Sequence, residues 1–212
     1  MTAVLATAGT GSPILLILAF LSVLTVTLIV VKTIQLARVR SGGDARTAAL
    51  IKWADGEKDT AISMLGSPHT PADRVLNYAL SSSIKKMPRK PLEAELMRRG
   101  NIETESMNRH IRLLELVAMI APLLGLLGTV TGMIQSFQEL ELAQGAANAS
   151  VLAGGIWQAL LTTAAGLVVA IPAAIGATLL SARIEGAAHA IETAVGEFFL
   201  VEDTGTTAAG PS

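Results

Sequence analysis

The sequence predicts an all-α membrane protein with three transmembrane helices that extend into the cytoplasm. Of its 212 residues, 51% are hydrophobic and 16% charged, and the mean hydropathy is +0.54, values typical of a membrane protein. Three stretches without a charged side chain are each long enough to span roughly 30 Å of hydrocarbon. They are Pro13–Val31, Leu116–Phe137 and Val151–Ala182. No strand-like alternation of any length is present.

The first transmembrane helix is predicted at residues 13–31. The residues before it carry no charged side chain, and the run itself is apolar with scattered Thr and Ser. A cleaved signal peptide is the competing interpretation, but the positive n-region and a clear small-residue cleavage site are missing. We therefore expect an uncleaved membrane anchor.

The positive charges determine the predicted orientation. All sixteen Lys and Arg residues lie between Lys32 and Arg112 or at Arg183, and positively charged loops stay on the cytoplasmic side of a membrane. The predicted order is a periplasmic amino terminus at 1–12, transmembrane helices at 13–31, 113–137 and 151–182, a cytoplasmic region at 32–112, a periplasmic loop at 138–150, and a cytoplasmic helix and tail at 183–212.

The cytoplasmic region is predicted to be helical. Asp44 is expected to cap a first helix, and a short second helix is expected at 57–65. Thr70-Pro71-Ala72-Asp73 is a strong helix start, because it combines a hydroxyl cap, a proline in the first turn and an acid near the positive end of the helix dipole. A further helix opens at Pro91 and runs towards the second span, with Gly100 as its expected weak point.

Lysines and arginines cluster between Lys85 and Arg99. One interpretation is binding of anionic lipid head groups. The other is that the charges set the topology and solvate a helical insert, and we favour it. No stacking aromatic side chains accompany the charges, so a nucleic-acid partner is not expected.

The second span has one face of small and mildly polar side chains. Gly125, Gly128 and Gly132 are predicted to serve helix packing, because small residues let helix backbones approach closely in lipid. Thr129 and Thr131 are equally consistent with packing and with an ion path.

The third span carries polar groups at membrane depth. Gln158 and Thr162 share a face, and Thr163 begins a second strip that continues with Gly166. Gly166 and Pro172 are predicted to serve helix packing. Because Pro172 removes a backbone hydrogen bond, a local bend is expected there. Beyond Arg183 we expect an amphipathic helix, and from Asp203 onwards a disordered tail.

No enzyme, metal site or cofactor is expected. The chain has no cysteine, and its three histidines are scattered without metal-ligand spacing. Hydroxyls can hydrate or relay a cation, but they cannot store a proton near neutral pH. If the chain belongs to an ion pathway, the titrating carboxylate must therefore come from another protein.

At these residues the sequence resembles the MotA/TolQ/ExbB proton channel family, especially its three-span ExbB/TolQ branch. The matching motifs are APLLGLLGTVTGM at Ala121–Met133 and GIWQALLTTAAGLVVAIPA at Gly155–Ala173. The two motifs lie in the second and third spans, which together make up about a third of the chain. The order of the motifs and their separation also match the family.

The resemblance implies a bacterial inner-membrane subunit that assembles as a ring, a pentamer in the family. The ring would enclose an ExbD/TolR-like single-span partner whose aspartate carries the proton, and would drive a TonB/TolA-like protein. By position, Thr129 and Thr163 match the pore-facing threonines of the family. Together with Gln158 and Thr162 they are the predicted ion-pathway residues.

One position departs from the family pattern. Gln158 stands where several members carry glutamate, and glutamine cannot titrate, so the partner's aspartate is left as the expected carrier. A non-conducting scaffold of an envelope or secretion complex is the alternative function. A solute transporter is disfavoured, because the spans show no inverted repeat.

Overall fold

The computed structural model describes residues 13–37, 42–66, 70–142 and 149–208. The predicted periplasmic amino terminus at 1–12 and most of the predicted periplasmic loop therefore lie outside the described residues. Within those ranges the regular secondary structure is entirely helical, which confirms the all-α prediction. The helices in the described ranges are α1 Pro13–Leu36, α2 Gly43–Ala54, α3 Lys58–Met64, α4 Pro71–Ile84, α5 Arg89–Asn108, α6 Ile111–Leu142 and α7 Ala149–Ala208.

Among the described residues, three helical stretches are long and apolar enough to cross a membrane. They are Pro13–Leu36, Arg89–Leu142 and Leu152–Thr204. The second combines α5 and α6, which are separated only at Arg109 and His110, and Arg109 keeps right-handed helical angles (φ −46°, ψ −42°). The prediction of three transmembrane helices in a multi-pass membrane protein is confirmed at this level.

The chain divides into two compact units. The first comprises residues 1–31 and 110–178, and its described core joins α1, α6 and α7. Ile14 and Leu18 of α1 pack with Val117 and Ala121 of α6 and with a short apolar strip of α7. That strip is Val169, Ala170 and Ala173. Large apolar side chains remain exposed on the other faces of all three helices, as expected for helices that contact lipid.

The second unit comprises residues 32–109 and 179–212. Trp53, Leu76 and Leu96 lie in its buried core with Phe198 from the distal part of α7. The Trp53 and Phe198 ring centroids are 6.2 Å apart in a tilted arrangement, a favourable aromatic geometry. α7 thus supplies part of the core on which α2, α4 and α5 fold.

The predicted start of α4 is confirmed in atomic detail. The Thr70 hydroxyl accepts from the Asp73 backbone N–H, and the Asp73 carboxylate accepts from the Thr70 N–H, so the two form a capping box. Arg46 of α2 adds an ion pair to Asp73 at 2.8 Å, with both side chains about nine-tenths buried. This contact fixes α2 against the first turn of α4.

Two expected helix boundaries in the second unit are wrong. Asp44 does not cap α2; the N-cap is Gly42, at φ +96°, and Asp44 lies in the first turn. α5 begins at Arg89 rather than Pro91 and continues through Gly100. A Cβ on Gly100 would lie 3.1 Å from Ile191 Cγ2, so close packing against α7 offsets the low helix propensity of glycine.

The interruption comes later than expected, because α5 ends at Asn108. There the Lys32 ammonium donates to the Met107 carbonyl at 2.9 Å, and Lys32 is buried. A carbonyl in the last turn of a helix lacks a backbone hydrogen-bond donor, and here the Lys32 ammonium supplies the missing hydrogen bond.

The ends of α6 and α7 also differ from expectation. α6 continues to Leu142, into the segment predicted as a loop, and α7 runs without a break past Arg183 to Ala208. The tail expected to be disordered from Asp203 is therefore helical as far as Ala208. The two acidic residues at this point of α7 have partners: Glu202 accepts a hydrogen bond from Ser83, and Asp203 forms an ion pair with Arg89. These contacts anchor the last turns of α7 on α4 and α5.

We expect Thr25→Val to stabilise the protein. Thr25 Oγ1 in α1 is buried and has no hydrogen-bond partner among the described residues. Replacing an unsatisfied hydroxyl by a methyl group of the same shape should raise the free energy of unfolding by about 1 kcal/mol. Thermal unfolding in detergent micelles measures this. Thr27→Val is the matched control, since Thr27 is exposed and already donates to the Val23 carbonyl; a lower melting temperature for Thr25→Val would contradict the prediction.

We expect Lys86→Gly to stabilise the end of α4. Lys86 has φ +57°, and the Lys86 and Met87 N–H groups donate to Ser83 and Ser82 in a Schellman arrangement. Glycine adopts this left-handed conformation without the penalty of a Cβ, so the gain should be about 1 kcal/mol. Lys85→Gly is the control, because Lys85 has φ −73° and glycine should bring no gain there. Thermal unfolding in detergent micelles measures both variants, and equal changes in melting temperature for Lys86→Gly and Lys85→Gly would contradict the prediction.

Candidate functional site

The helices that carry the candidate residues pack against each other through small side chains. On α6 these residues are spaced by four, three, four and four positions, and on α7 by four, three and four. Ala121 meets Gly166 while Ser136 meets Gly155, so the two helices run antiparallel. We call this interface the small-residue seam. It comprises Ala121, Gly125, Gly128, Gly132 and Ser136 of α6 and Gly155, Ala159, Thr162 and Gly166 of α7.

The backbones approach so closely in the seam that a side chain does not fit at its glycines. A Cβ on Gly166 would lie 2.6 Å from the Ala121 carbonyl oxygen and 3.1 Å from the Gly125 Cα. A Cβ on Gly128 would overlap the Thr162 hydroxyl. Because no hydrophobic force draws helices together in lipid, their association depends on van der Waals contact of this kind.

Two threonine hydroxyls of α7 are directed at one carbonyl of α6. Thr163 Oγ1 donates to the Gly125 carbonyl oxygen at 3.1 Å. Thr162 Oγ1 donates to Ala159 in its own helix at 2.6 Å and lies 3.4 Å from the same Gly125 oxygen. Hydrogen bonds between transmembrane helices are worth about 0.6 kcal/mol on average. The seam therefore combines steric contact with a polar link at its centre.

The two threonines differ in exposure. Thr162 is only 2% exposed, so within one chain its hydroxyl is enclosed between α6 and α7. Thr163 is half-buried, so its side chain keeps some access from outside the helix pair.

The two other predicted ion-pathway residues, Thr129 and Gln158, make no hydrogen bond across the seam, and neither does Thr131. Thr129 is half-buried and donates to the Leu126 carbonyl at 2.7 Å, and Thr131 is exposed and donates to Leu127 at 3.0 Å. Gln158 is exposed, and its amide has no hydrogen-bond partner in the part of the chain that the structure describes. Pore lining by Thr129, Gln158, Thr162 and Thr163 stays a prediction.

The predicted packing residues are not all alike. Gly125, Gly128, Gly132 and Gly166 lie in the seam, whereas Pro172 is exposed. α7 continues through Pro172.

Two contacts were not anticipated from the sequence. A Cβ on Gly155 would overlap the Ser136 hydroxyl, and one on Gly176 would lie 2.7 Å from Ile29 of α1. The signal for Gly155 was present: Gly155 and Ala159 continue the small-residue spacing that begins at Thr162. No comparable spacing indicated Gly176. Its partner, Ile29, has a bulky side chain and lies on α1, far away in the sequence.

The seam has no ionisable side chain. Its polar groups are hydroxyls and backbone carbonyls, and among the described residues no three His, Cys, Asp or Glu side chains are placed to hold a metal ion. Such groups can donate to or coordinate a passing species, but they neither store a proton nor act as a general base at neutral pH.

Comparison with known proteins gives a consistent family assignment. The model of the MotA/TolQ/ExbB proton channel family matches residues 67–193, which include the whole seam and all of α4 and α5. This is more than half of the chain, so the match covers both compact units in part.

Curated relatives match over shorter segments. The biopolymer transport protein exbB1 of Vibrio cholerae is 51% identical over 74 residues, 35% of this chain and 32% of the relative. The putative biopolymer transport protein ExbB-like 1 of Synechocystis is 52% identical over 71 residues, 32% of this chain and 28% of the relative. The Tol-Pal system protein TolQ of Haemophilus influenzae is 40% identical over 98 residues, which are 46% of this chain and 41% of the relative. The aligned part of this chain thus spans about a third of the length of these relatives.

We expect Gly166→Ala to disrupt the seam. The added methyl group would press on the backbone of Ala121 and Gly125, which cannot rotate away as a side chain can, and overpacking of this kind costs about 1–3 kcal/mol. Gly154→Ala is the matched control on the same helix, because a Cβ there meets nothing within 4 Å, and alanine should leave stability equal or higher.

Thermal unfolding of both variants in detergent measures the difference. A Gly166→Ala melting temperature at or above that of Gly154→Ala would show that α6 and α7 do not pack as described.

Proposed function

The chain belongs to the MotA/TolQ/ExbB proton channel family, and from this premise we propose that it is the channel subunit of an ion-driven complex that energises TonB- or Tol-type envelope transport. The names of its relatives support this assignment, since they include ExbB and TolQ proteins. The polar but acid-free seam supports it as well. We place the protein in the bacterial inner membrane, as a multi-pass subunit.

We propose that the amino terminus is periplasmic and the carboxyl terminus cytoplasmic. The support is the charge distribution: the sixteen Lys and Arg residues occur at 32–112 and at Arg183, and none in the loop between α6 and α7. The second compact unit would then be cytoplasmic, since it contains residues 32–109 and 179–212.

In this proposal the proton is carried by another protein. Several copies of the chain, five in the family pattern, form a ring around an ExbD/TolR-like single-span partner, and an aspartate of that partner titrates. The chain contributes hydroxyls and carbonyls that stabilise the aspartate at successive positions. Gln158 fits a supporting role of this kind, because its amide donates and accepts hydrogen bonds without changing charge.

The driving energy is adequate for a mechanical step. One charge crossing the membrane potential yields about 2.3 kcal/mol per 100 mV. This exceeds the roughly 0.6 kcal/mol of a hydrogen bond between transmembrane helices, so the passage of a few protons can rearrange an interface and transmit force to a TonB/TolA-like protein.

The observation that carries the proposal is the Thr163–Gly125 contact. A half-buried hydroxyl at the centre of the seam donates to a backbone carbonyl at 3.1 Å. A carboxylate or water that approaches Thr163 can replace the Gly125 carbonyl as the acceptor of the Thr163 hydrogen bond. The released carbonyl can then accept a hydrogen bond from a protonated carboxyl group.

A non-conducting scaffold is the second candidate, and one observation favours it. The Thr162 hydroxyl is enclosed and already donates to Ala159, so a packing role is sufficient to explain a hydroxyl at this position. If Thr163 plays the same part, the seam holds the subunit together and conducts nothing.

We expect Thr163→Val to reduce proton flux while assembly is retained. The chain would be produced with an ExbD/TolR-like single-span protein, reconstituted into liposomes, and assayed with a pH-sensitive dye under an imposed potential. Loss of one transition-state hydrogen bond of about 1.4 kcal/mol lowers a rate about tenfold. Thr178→Val is the matched control, because Thr178 is exposed and donates to Ala174 in its own helix.

The two candidates give different results. Equal proton flux through the Thr163→Val, Thr178→Val and unaltered complexes would show that the Thr163 hydroxyl does not contribute to conduction. Failure of the unaltered complex to pass protons or sodium, with the partner bound, would favour the scaffold.

A further inference from the structure

A cavity of about 190 Å³ lies between α4 and α5 in the second unit. It is lined by Arg74 and Val75 of α4 and by Arg98, Arg99, Ile102 and Glu103 of α5. Three guanidinium groups in one small cavity are unusual for a surface that serves solvation alone, since arginine is also the residue that pairs best with planar anions. We call it the arginine pocket.

The chain's own carboxylates hold these arginines only in part. Glu103 accepts two hydrogen bonds from Arg74, at 2.6 and 2.8 Å. Glu95, beside the pocket, accepts two from Arg98, both at 2.7 Å, and one from Arg99 Nε at 2.9 Å. Three positive groups thus face two negative ones, which leaves an excess of one positive charge.

Several N–H donors of the pocket are uncommitted. Both Nη atoms of Arg99 and the Nη1 atoms of Arg74 and Arg98 have no hydrogen-bond or ion-pair partner in the described ranges. Arg99 is nevertheless held in place, because its guanidinium stacks 3.6 Å above the Tyr78 ring centroid. A prearranged donor loses little side-chain entropy when a ligand binds.

We propose that the arginine pocket receives an aspartate or glutamate side chain from a peptide segment of a partner protein. The single excess charge matches one carboxylate better than a dianionic phosphate, and the two free Nη atoms of Arg99 can donate the pair of parallel hydrogen bonds that a carboxylate accepts. Val75 and the half-exposed Ile102 give the pocket an aliphatic wall that suits an apolar neighbour of the acid. Ion conduction by the seam is not needed for this binding.

The test uses the full chain in detergent micelles and a fluorescein-labelled peptide, Gly-Leu-Glu-Leu-Gly, followed by fluorescence polarisation. Both peptides are amidated at the carboxyl terminus, and the matched peptide Gly-Leu-Gln-Leu-Gly should bind at least about fivefold more weakly, because it lacks the side-chain carboxylate. Arg99→Gln should weaken the glutamate peptide by a similar factor. Lys85→Gln is its control: it removes the same charge from an exposed position at the other end of α4 and should change the affinity less than about twofold.

A second variant has the opposite expected sign. Glu103→Gln removes the internal competitor of the peptide and frees Arg74, so the affinity should rise about threefold or more. Glu105→Gln makes the same charge change at an exposed residue outside the pocket and should have a smaller effect. This pair stays informative even if Arg99→Gln impairs folding, which its melting temperature reports.

Three results would overturn the proposal. The first is absence of saturable binding of the glutamate peptide. The second is an equal effect of the pocket and control variants, which would indicate unspecific charge attraction. The third is displacement of the peptide by inorganic phosphate at concentrations where acetate of the same ionic strength has no effect, which would assign the pocket to a phosphate group.

Discussion

The close contact of α6 with α7 is the constraint on which the membrane part of this protein depends. A helix in hydrocarbon satisfies its own backbone groups, and its side-chain hydroxyls must find partners inside the protein. The seam meets both requirements. Its glycines allow the backbones to meet, and that proximity brings the Thr163 hydroxyl within 3.1 Å of the Gly125 carbonyl. The bulky residues then lie on the remaining faces, where Leu123 and Ile134 of α6 are more than half exposed.

The second unit is held together by different physics. Its helices carry many charges, and its core contains large side chains such as Trp53 and Phe198. Hydrophobic burial supplies the driving force in water, while directed polar contacts set the register of the helices. The largely buried Arg46–Asp73 pair is one such contact. The hydrogen bond from Lys32 to Met107 is another, and it ties the end of α5 to α1 by a single side chain.

The sequence was informative where one local signal dominates. The capping box at Thr70 and Asp73 depends on residues three positions apart, and the spans depend on uninterrupted apolar runs, so both were predictable. Gly100 was misjudged because its neighbour Ile191 is 91 positions away in the sequence. The helix at Asp203 was missed because its ion-pair partner, Arg89, is 114 positions away. For the seam, the sequence indicated the small faces of both helices. It did not indicate which threonine would be enclosed, since that depends on the rotation of α7 against α6.

That rotation separates two residues that the sequence presents as equivalent neighbours. Thr162 is enclosed, with its hydroxyl on Ala159, whereas Thr163 is half-buried, with its hydroxyl on a carbonyl of the opposite helix. Within one chain, the Thr163 side chain is therefore more accessible than that of Thr162. Because the seam has no acid of its own, the group that benefits most from such a hydroxyl is an incoming carboxylate, which accepts from Thr163 when ionised. When protonated, the same group can donate to the Gly125 oxygen. One hydroxyl and one carbonyl can thus stabilise both protonation states of a foreign acid, and for that reason a chain without titratable groups in its seam can still take part in proton movement.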